Sequence, residues 1–195
     1  MTLILLVGKK GSGKDTIADY LVTKNWIKLS FGDCLKNALK ILFDFSDDQL
    51  WGNKKEKIDD QWEITPRYLL QTLGTDFLRD FLGDKINLEI TVNTKKYKCS
   101  YHIKRLHQQV IKLLDQGKNV VIADTRFQDE INWGKLLNGK IIKINRPIKK
   151  DNKFSNHKSE NIKILKYIDF EITNNMSKKV LYQKIKKLLF DNYKL

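Results

Sequence analysis

A short apolar run, Leu3 to Val7, leads directly into Gly8-Lys9-Lys10-Gly11-Ser12-Gly13-Lys14-Asp15-Thr16, and Ile17, Ala18, Leu21 and Val22 follow at helical spacing. A buried strand, a glycine-rich loop and an amphipathic helix in that order leave the chain few folds. A strand that is apolar on both faces belongs in a parallel sheet, and such a sheet needs helices on both sides to shield it. The glycines let the backbone turn so that successive N–H groups face inward as an anion nest. The helix that starts at Lys14 adds the positive end of its dipole.

The rest of the chain repeats the alternation. Trp26 to Leu29, Asn119 to Ala123, Lys140 to Asn145 and Phe170 to Thr173 read as short buried strands. Between them, helices are predicted from Asp33, from Pro66 behind the N-cap Thr65 to about Leu82, over Tyr101 to Gln116, Gln128 to Leu137, and Ser177 to Leu189. Asn87 to Cys99 alternates as a hairpin does. The expectation is one α/β domain over 1–195, with 43–101 as an insertion and 146–160 as a lid-like polar loop. The right-handed crossover rule places the loops after Val7 and Ala123 along one sheet edge.

Composition narrows the setting. With 41% hydrophobic residues and only 2 Pro and 10 Gly, the chain can build a core and is neither disordered nor collagenous. Cys34 and Cys99 are too few for a disulfide scaffold or a zinc cage. The apolar runs are far short of a membrane span, and MTLILLVG lacks a basic n-region, so a cytoplasmic protein is expected. The net charge of +14 comes from lysine, 32 residues against five arginines, and reads mostly as a solvated surface. Arg67, Arg79, Arg105, Arg126 and Arg146 are more informative, because a guanidinium fork suits phosphate in a way that lysine cannot copy.

The first loop nearly meets the pattern G-x-x-x-x-G-K-[ST], with Asp15 in the hydroxyl position and Thr16 one place later. Lys10 to Thr16 can wrap the phosphates of ATP, Lys14 can follow the transferring phosphoryl group, and Thr16 can meet Mg²⁺. Asp124, ahead of Thr125 and Arg126, either holds Mg²⁺ through water or caps the next helix. Arg67, Gln71, Thr75 and Arg79 recur every four residues and share a helix face, either as a phosphate and base site or as an exposed polar stripe.

Together these stretches resemble the viral and phage-type deoxynucleoside monophosphate kinases, within the phosphate-loop nucleoside monophosphate kinase superfamily. The resemblance is carried by GKKGSGKDTIADYL, SFGDCLKNAL, ITPRYLLQTLGTDFLRD, VVIADTRFQDEI and HKSE at His157 to Glu160, which together cover most of the chain. It implies the three-layer phosphate-loop fold with a sheet of about five strands, and transfer of the γ-phosphoryl of ATP to a deoxynucleoside monophosphate. It also implies Lys14 and Arg126 as catalytic residues and Thr16, Asp15 and Asp124 around the metal. Lys36, Arg67, Gln71, Arg79 and Arg126 fall to the acceptor, with Trp133 or Phe31 stacking on its base and Arg146 closing over ATP. His102 and His107 have no partner pattern and are expected at the surface.

Two rivals remain open on the sequence. One is a related kinase acting on another phosphomonoester, such as phosphomevalonate or dephospho-coenzyme A. The other is a nucleic-acid-dependent ATPase, against which the chain has no ordered basic–aromatic interleaving. No stable nucleic-acid or membrane partner is expected, and the assembly is open between monomer and homodimer.

Overall fold

The sheet edge that the sequence implies is built from five parallel strands. The computed structural model describes residues 1–147 and 166–193, and it divides into two compact units, 1–30 with 108–195 and 31–107.

In the first unit, β1 (Leu3–Val7) is central, with β5 (Asn119–Thr125) and then β2 (Trp26–Leu29) on one side. On its other side lie β6 (Lys140–Asn145) and β7 (Phe170–Thr173), and every pairing is parallel. All five residues of β1 are buried, as a strand covered on both faces must be. Alternate side chains divide between two layers. Ile4 and Leu6 join Ile17, Leu21, Ile142, Ile144, Leu181 and Ile185 under α1 (Lys14–Val22) and α8 (Lys178–Tyr193). Stacked Tyr20 and Tyr182 rings, 4.4 Å apart, tie those two helices together. Leu5, on the opposite face, packs so closely on Gly134 of α7 (Gln128–Leu136) that a Cβ there would stand 2.7 Å from its methyl.

The β1–β5 ladder slips once. Leu5 pairs with Ile122 but Val7 pairs with Thr125, so β5 carries one extra residue at its C-terminal end. A bulge of this kind bends a strand and re-aims side chains, and it falls at Asp124.

The 31–107 unit has its own core. Leu39 of α2 (Asp33–Phe43), Phe45, Leu50 of α3 (Asp47–Leu50) and Leu69 of α4 (Pro66–Gln71) are buried together. The ring of Trp62 meets Phe43 edge-on at 5.0 Å. Thr65 caps α4 by accepting from the Tyr68 N–H, with Pro66 at the first helical position. The predicted single helix to Leu82 is corrected. From Thr72 to Phe81 the winding is π-helical, and α5 (Leu82–Lys85) follows. There the hydrogen bond closes five residues back, so Thr75 and Arg79 leave the α pitch that Arg67 and Gln71 share. The hairpin is present as β3 (Glu89–Val92) and β4 (Lys95–Lys98). Its two turn residues, Asn93 and Thr94, both have positive φ, as a twisted two-residue hairpin requires. Helix α6 (Tyr101–Asp115) runs on from there toward β5.

Candidate active site

The loop after β1 is shaped by its own carbonyls. Gly11 and Gly13 take positive φ of 74° and 106°, and Ser12 N–H closes a turn on the Lys9 carbonyl at 3.1 Å. The Lys14 ammonium is buried and donates to the carbonyls of Gly8 at 2.6 Å and Lys9 at 2.9 Å. Gly13 supplies the N-cap of α1 without a side-chain hydrogen bond, so no side chain there competes with an incoming anion for the first-turn N–H groups.

A cleft of about 320 Å³ opens beside this loop. Lys14, Asp15, Thr16 and Arg146 line it, as the sequence suggested, together with Asn174, Met176 and Lys178, which it did not. Arg146, just past β6, donates from Nη1 to the Gly11 carbonyl at 3.1 Å. Asn174, just past β7, donates from Nδ2 to the Ser12 carbonyl at 2.8 Å. The placement follows from topology, since the C-terminal ends of parallel strands converge on one edge. The signal available in the sequence was that position after a buried strand.

Asp124 sits on the β5 bulge, and Ser30, at the end of β2, donates to its Oδ2 at 2.6 Å. Capping of α7 falls to another residue. Buried Glu130 accepts the N–H groups of Arg126 at 2.7 Å and Phe127 at 3.1 Å. These bonds fix the backbone that carries Arg126. Thr125 is fully buried, and its hydroxyl has no hydrogen-bond partner among the described residues.

Asp15 is an exposed side chain that accepts from Lys28 of β2 at 3.0 Å, and Asp19 shares the same ammonium at 2.9 Å. Burial works against the charge on Lys28, but the two carboxylates outweigh it and hold its pKa above the ordinary lysine value. With Asp15 engaged in this pair, the hydroxyl of Thr16 and the carboxylate of Asp124 are the better fit for Mg²⁺, which takes few protein ligands and completes its shell with water and phosphate. No group of three or more His, Cys, Asp or Glu that could hold a metal ion occurs among the described residues.

In the 31–107 unit, Lys36 pairs with Asp33 at 3.1 Å and lies 5.4 Å from the centre of the Trp51 ring, whose Nε1 donates to the same carboxylate at 3.0 Å. Arg67 donates from Nε to Glu56 at 3.0 Å. The Nε2 of Gln71 is buried without a hydrogen-bond partner among the described residues. Arg79 lies on the π-helical segment. The stacking role expected of Trp133 is corrected. The indole is 2% exposed and belongs to the core, so no face is open to a base. Phe31 is buried as well. The histidines are also corrected. His102 and His107 lie on the buried face of α6, where their Nε2 atoms meet the carbonyls of Gly74 at 2.8 Å and Thr91 at 3.4 Å. His157, Ser159 and Glu160 lie outside the described residues.

A parallel sheet with β1 at its centre, a lysine-bearing glycine loop at its edge and helices on both faces define a phosphate-loop nucleotide-binding fold. The dephospho-CoA kinase from Campylobacter jejuni superposes on 98% of the chain and 97% of its own, with a TM-score of 0.56 at 18% identity. A Thermus thermophilus protein, TT1252, does so on 98% and 97% with a TM-score of 0.50 at 16% identity. At these identities the likeness establishes the fold alone. No family model matches the sequence. A protein of Acanthamoeba polyphaga mimivirus named "Putative deoxynucleotide monophosphate kinase" is 40% identical over 191 residues, 95% of this chain and 94% of that protein. The chain belongs to the viral and phage-type deoxynucleoside monophosphate kinase family. No helix among the described residues is long and apolar enough to cross a membrane.

Proposed function

We propose that the chain transfers the γ-phosphoryl group of ATP to deoxynucleoside 5′-monophosphates, giving the diphosphates. The observation that carries this reading is the Gly8–Thr16 loop with its buried Lys14, in a chain 40% identical to a relative bearing that name.

Phosphoryl transfer needs two anions brought into line and their charge neutralised. The loop N–H groups and the α1 dipole take the ATP phosphates. The Lys14 ammonium leaves the Gly8 and Lys9 carbonyls for the phosphate, where it stabilises charge that develops in the transition state. Thr16 and Asp124 would hold Mg²⁺, which would supply charge neutralisation at the phosphates. Arg146 closes on ATP from the start of the lid-like loop, and Arg126 meets phosphate oxygens. In the 31–107 unit, Lys36 and Arg67 bind the acceptor phosphate, Arg79 belongs to the acceptor side, and the Gln71 amide reads a base edge. The unpartnered Nε2 of Gln71 favours that role, because a buried amide donor without an acceptor costs about 1–3 kcal/mol. No general base is required, since the acceptor phosphate is ionised near neutral pH.

The test is ADP release from ATP and Mg²⁺ with each of four deoxynucleoside and four ribonucleoside monophosphates, phosphomevalonate and dephospho-coenzyme A. Turnover confined to deoxynucleotides and lost in Lys14→Ala is the expected result. Turnover with phosphomevalonate or dephospho-coenzyme A alone replaces the acceptor. ADP release stimulated only by DNA replaces the reaction class.

A further inference from the structure

We propose that Asn174 is a positioning residue for ATP: it fixes the peptide plane between Ser12 and Gly13 so that the loop keeps its anion-binding shape after Lys14 has left it. The inference rests on the reading of Gly8–Thr16 as a triphosphate loop, and not on the identity of the acceptor.

A nest works only if its N–H groups stay inward, and each peptide plane carries its carbonyl on the side opposite the next N–H. Holding the carbonyls outward therefore aims the donors. Side-chain donors serve four of these carbonyls: Lys14 serves Gly8 and Lys9, Arg146 serves Gly11, and Asn174 serves Ser12. Two of these donors are cations with a reason to leave. Lys14 must reach phosphate for the reaction to occur, and Arg146 is an arginine at an exposed contact. Asn174 is neutral, so an arriving triphosphate draws it away far less strongly than it draws a lysine or arginine.

Asn174 is also anchored. Its own N–H donates to the Asn145 carbonyl at 2.7 Å, which ties it to the end of β6. Gly13 shows how close the fit is. A Cβ at that position would stand 2.5 Å from Asn174 Nδ2 and would displace the amide, while the φ of 106° itself calls for glycine. The amide occupies the space the missing side chain leaves. It holds the Ser12 carbonyl, and the Gly13 N–H in the same plane is turned to the opposite side.

Such a role predicts a loss that follows the phosphates and ignores the nucleoside. Wild type, Asn174→Ala and Asn174→Asp are titrated calorimetrically with Mg²⁺·ATP and with inorganic tripolyphosphate, which has no base or sugar. Melting temperatures are recorded alongside, with the KM for ATP and for the acceptor. Removing one internal hydrogen bond in Asn174→Ala is expected to weaken both ligands by the same factor, roughly five- to tenfold. Asn174→Asp, similar in shape but with a carboxylate facing the Ser12 carbonyl and the anion site, loses more. The KM for ATP rises in step while that for the acceptor stays within twofold.

Loss of ATP affinity with tripolyphosphate binding intact assigns the side chain to the nucleoside and overturns the inference. Unchanged binding of both ligands by folded variants overturns it while leaving the kinase reading in place. A wild-type chain that binds neither ligand overturns the triphosphate-loop reading and this inference together. Asn174→Leu, nearly isosteric, uncharged and without the donor, is titrated in the same way and keeps the test decisive if the smaller side chain destabilises the fold.

Discussion

The two units hold their charged groups in different ways. Around the phosphate loop, side-chain donors end on backbone carbonyls: Lys14 on Gly8 and Lys9, Arg146 on Gly11, Asn174 on Ser12. In the 31–107 unit the candidate cations end on carboxylates, Lys36 on Asp33 and Arg67 on Glu56. A carbonyl is a weaker partner for a cation than a carboxylate, so a phosphate displaces it at lower cost. On the proposed reading, the loop can therefore release its lysine to a bound phosphate. The acceptor-side cations start from ion pairs, and a bound monophosphate must compete with Asp33 and Glu56 or share their partners. The first region should respond to mutation as chemistry and the second as binding.

The largest effect expected is at Lys14. Lys14→Ala removes a charge that acts on the phosphoryl group in the transition state, and kcat should fall by roughly 10³-fold, on the scale of other transition-state donors. The drop should be the same for every accepted monophosphate. A loss that varied with the acceptor base would break the division between the two regions. Because the ammonium also holds two loop carbonyls, the Lys14→Met melting temperature should be compared, to separate lost chemistry from a collapsed loop.

Trp133 tests the comparison from the other side. The family resemblance implies an acceptor contact here, yet the residue lies on α7 in the unit that carries the loop, and it is buried. Trp133→Ala should cost about 3–5 kcal/mol of stability by leaving a cavity, while Trp133→Phe keeps most of the packing. Thermal unfolding should register the first change strongly, with acceptor KM unaltered in the second. A raised acceptor KM in a stable Trp133→Phe variant would return the indole to the site.

What the sequence made legible depends on how locally each feature is encoded. Trp26–Leu29, Lys140–Asn145 and Phe170–Thr173 have the expected bounds, because a buried parallel strand is a short apolar run with abrupt polar ends. The loop was legible because its chemistry is backbone chemistry, written in glycines. Ser30 and Asn174 were not, since each is a common polar residue whose partner lies 94 or 162 positions away. The helix α3 was missed for its length, although Ser46 and Gln49 form a capping box. The π-helical winding from Thr72 leaves no mark in apolar periodicity. His102 and His107 misled because a pattern of apolar residues counts histidine as polar. On α6 they line up with Ile103, Leu106 and Val110, and bonds to carbonyls compensate their burial.

At Arg67 the expected effect is smaller and of a different kind. The guanidinium already has Glu56 at 3.0 Å, and the acceptor phosphate takes it over or shares it. Arg67→Ala should lower kcat/KM for the acceptor by roughly 10- to 100-fold, the range of one charge-assisted contact, with the KM for ATP unchanged. Glu56→Gln sharpens the comparison. If the ion pair competes with the acceptor, that variant should lower the acceptor KM below the wild-type value. Should it raise the KM instead, Glu56 orients the arginine and does not restrain it. An Arg67→Ala variant with wild-type kcat/KM would remove this residue from the acceptor site.

The smallest expected effect concerns the fold of the 31–107 unit and its response to acid. Burial, chiefly, pushes His107 below the ordinary histidine pKa; the Thr91 carbonyl opposes that shift and the Lys104 charge adds to it. The folded protein therefore binds this proton less readily than the unfolded chain, so ν_U exceeds ν_N between the two pKa values. Stability from neutral His107 is complete above the unfolded value of about 6.5 and declines as pH falls toward the lowered folded value. Melting temperature measured from pH 8 to pH 5 should fall more steeply for wild type than for His107→Gln, which cannot take up the proton. Lys104→Gln should flatten the wild-type curve slightly by removing a repelling charge. The ATP-binding titration should show no matching inflection, since His107 lies in the unit that does not carry the phosphate loop. Parallel acid curves for wild type and His107→Gln would mean that His107 takes up its proton equally in the folded and unfolded chains, and that burial does not lower its pKa.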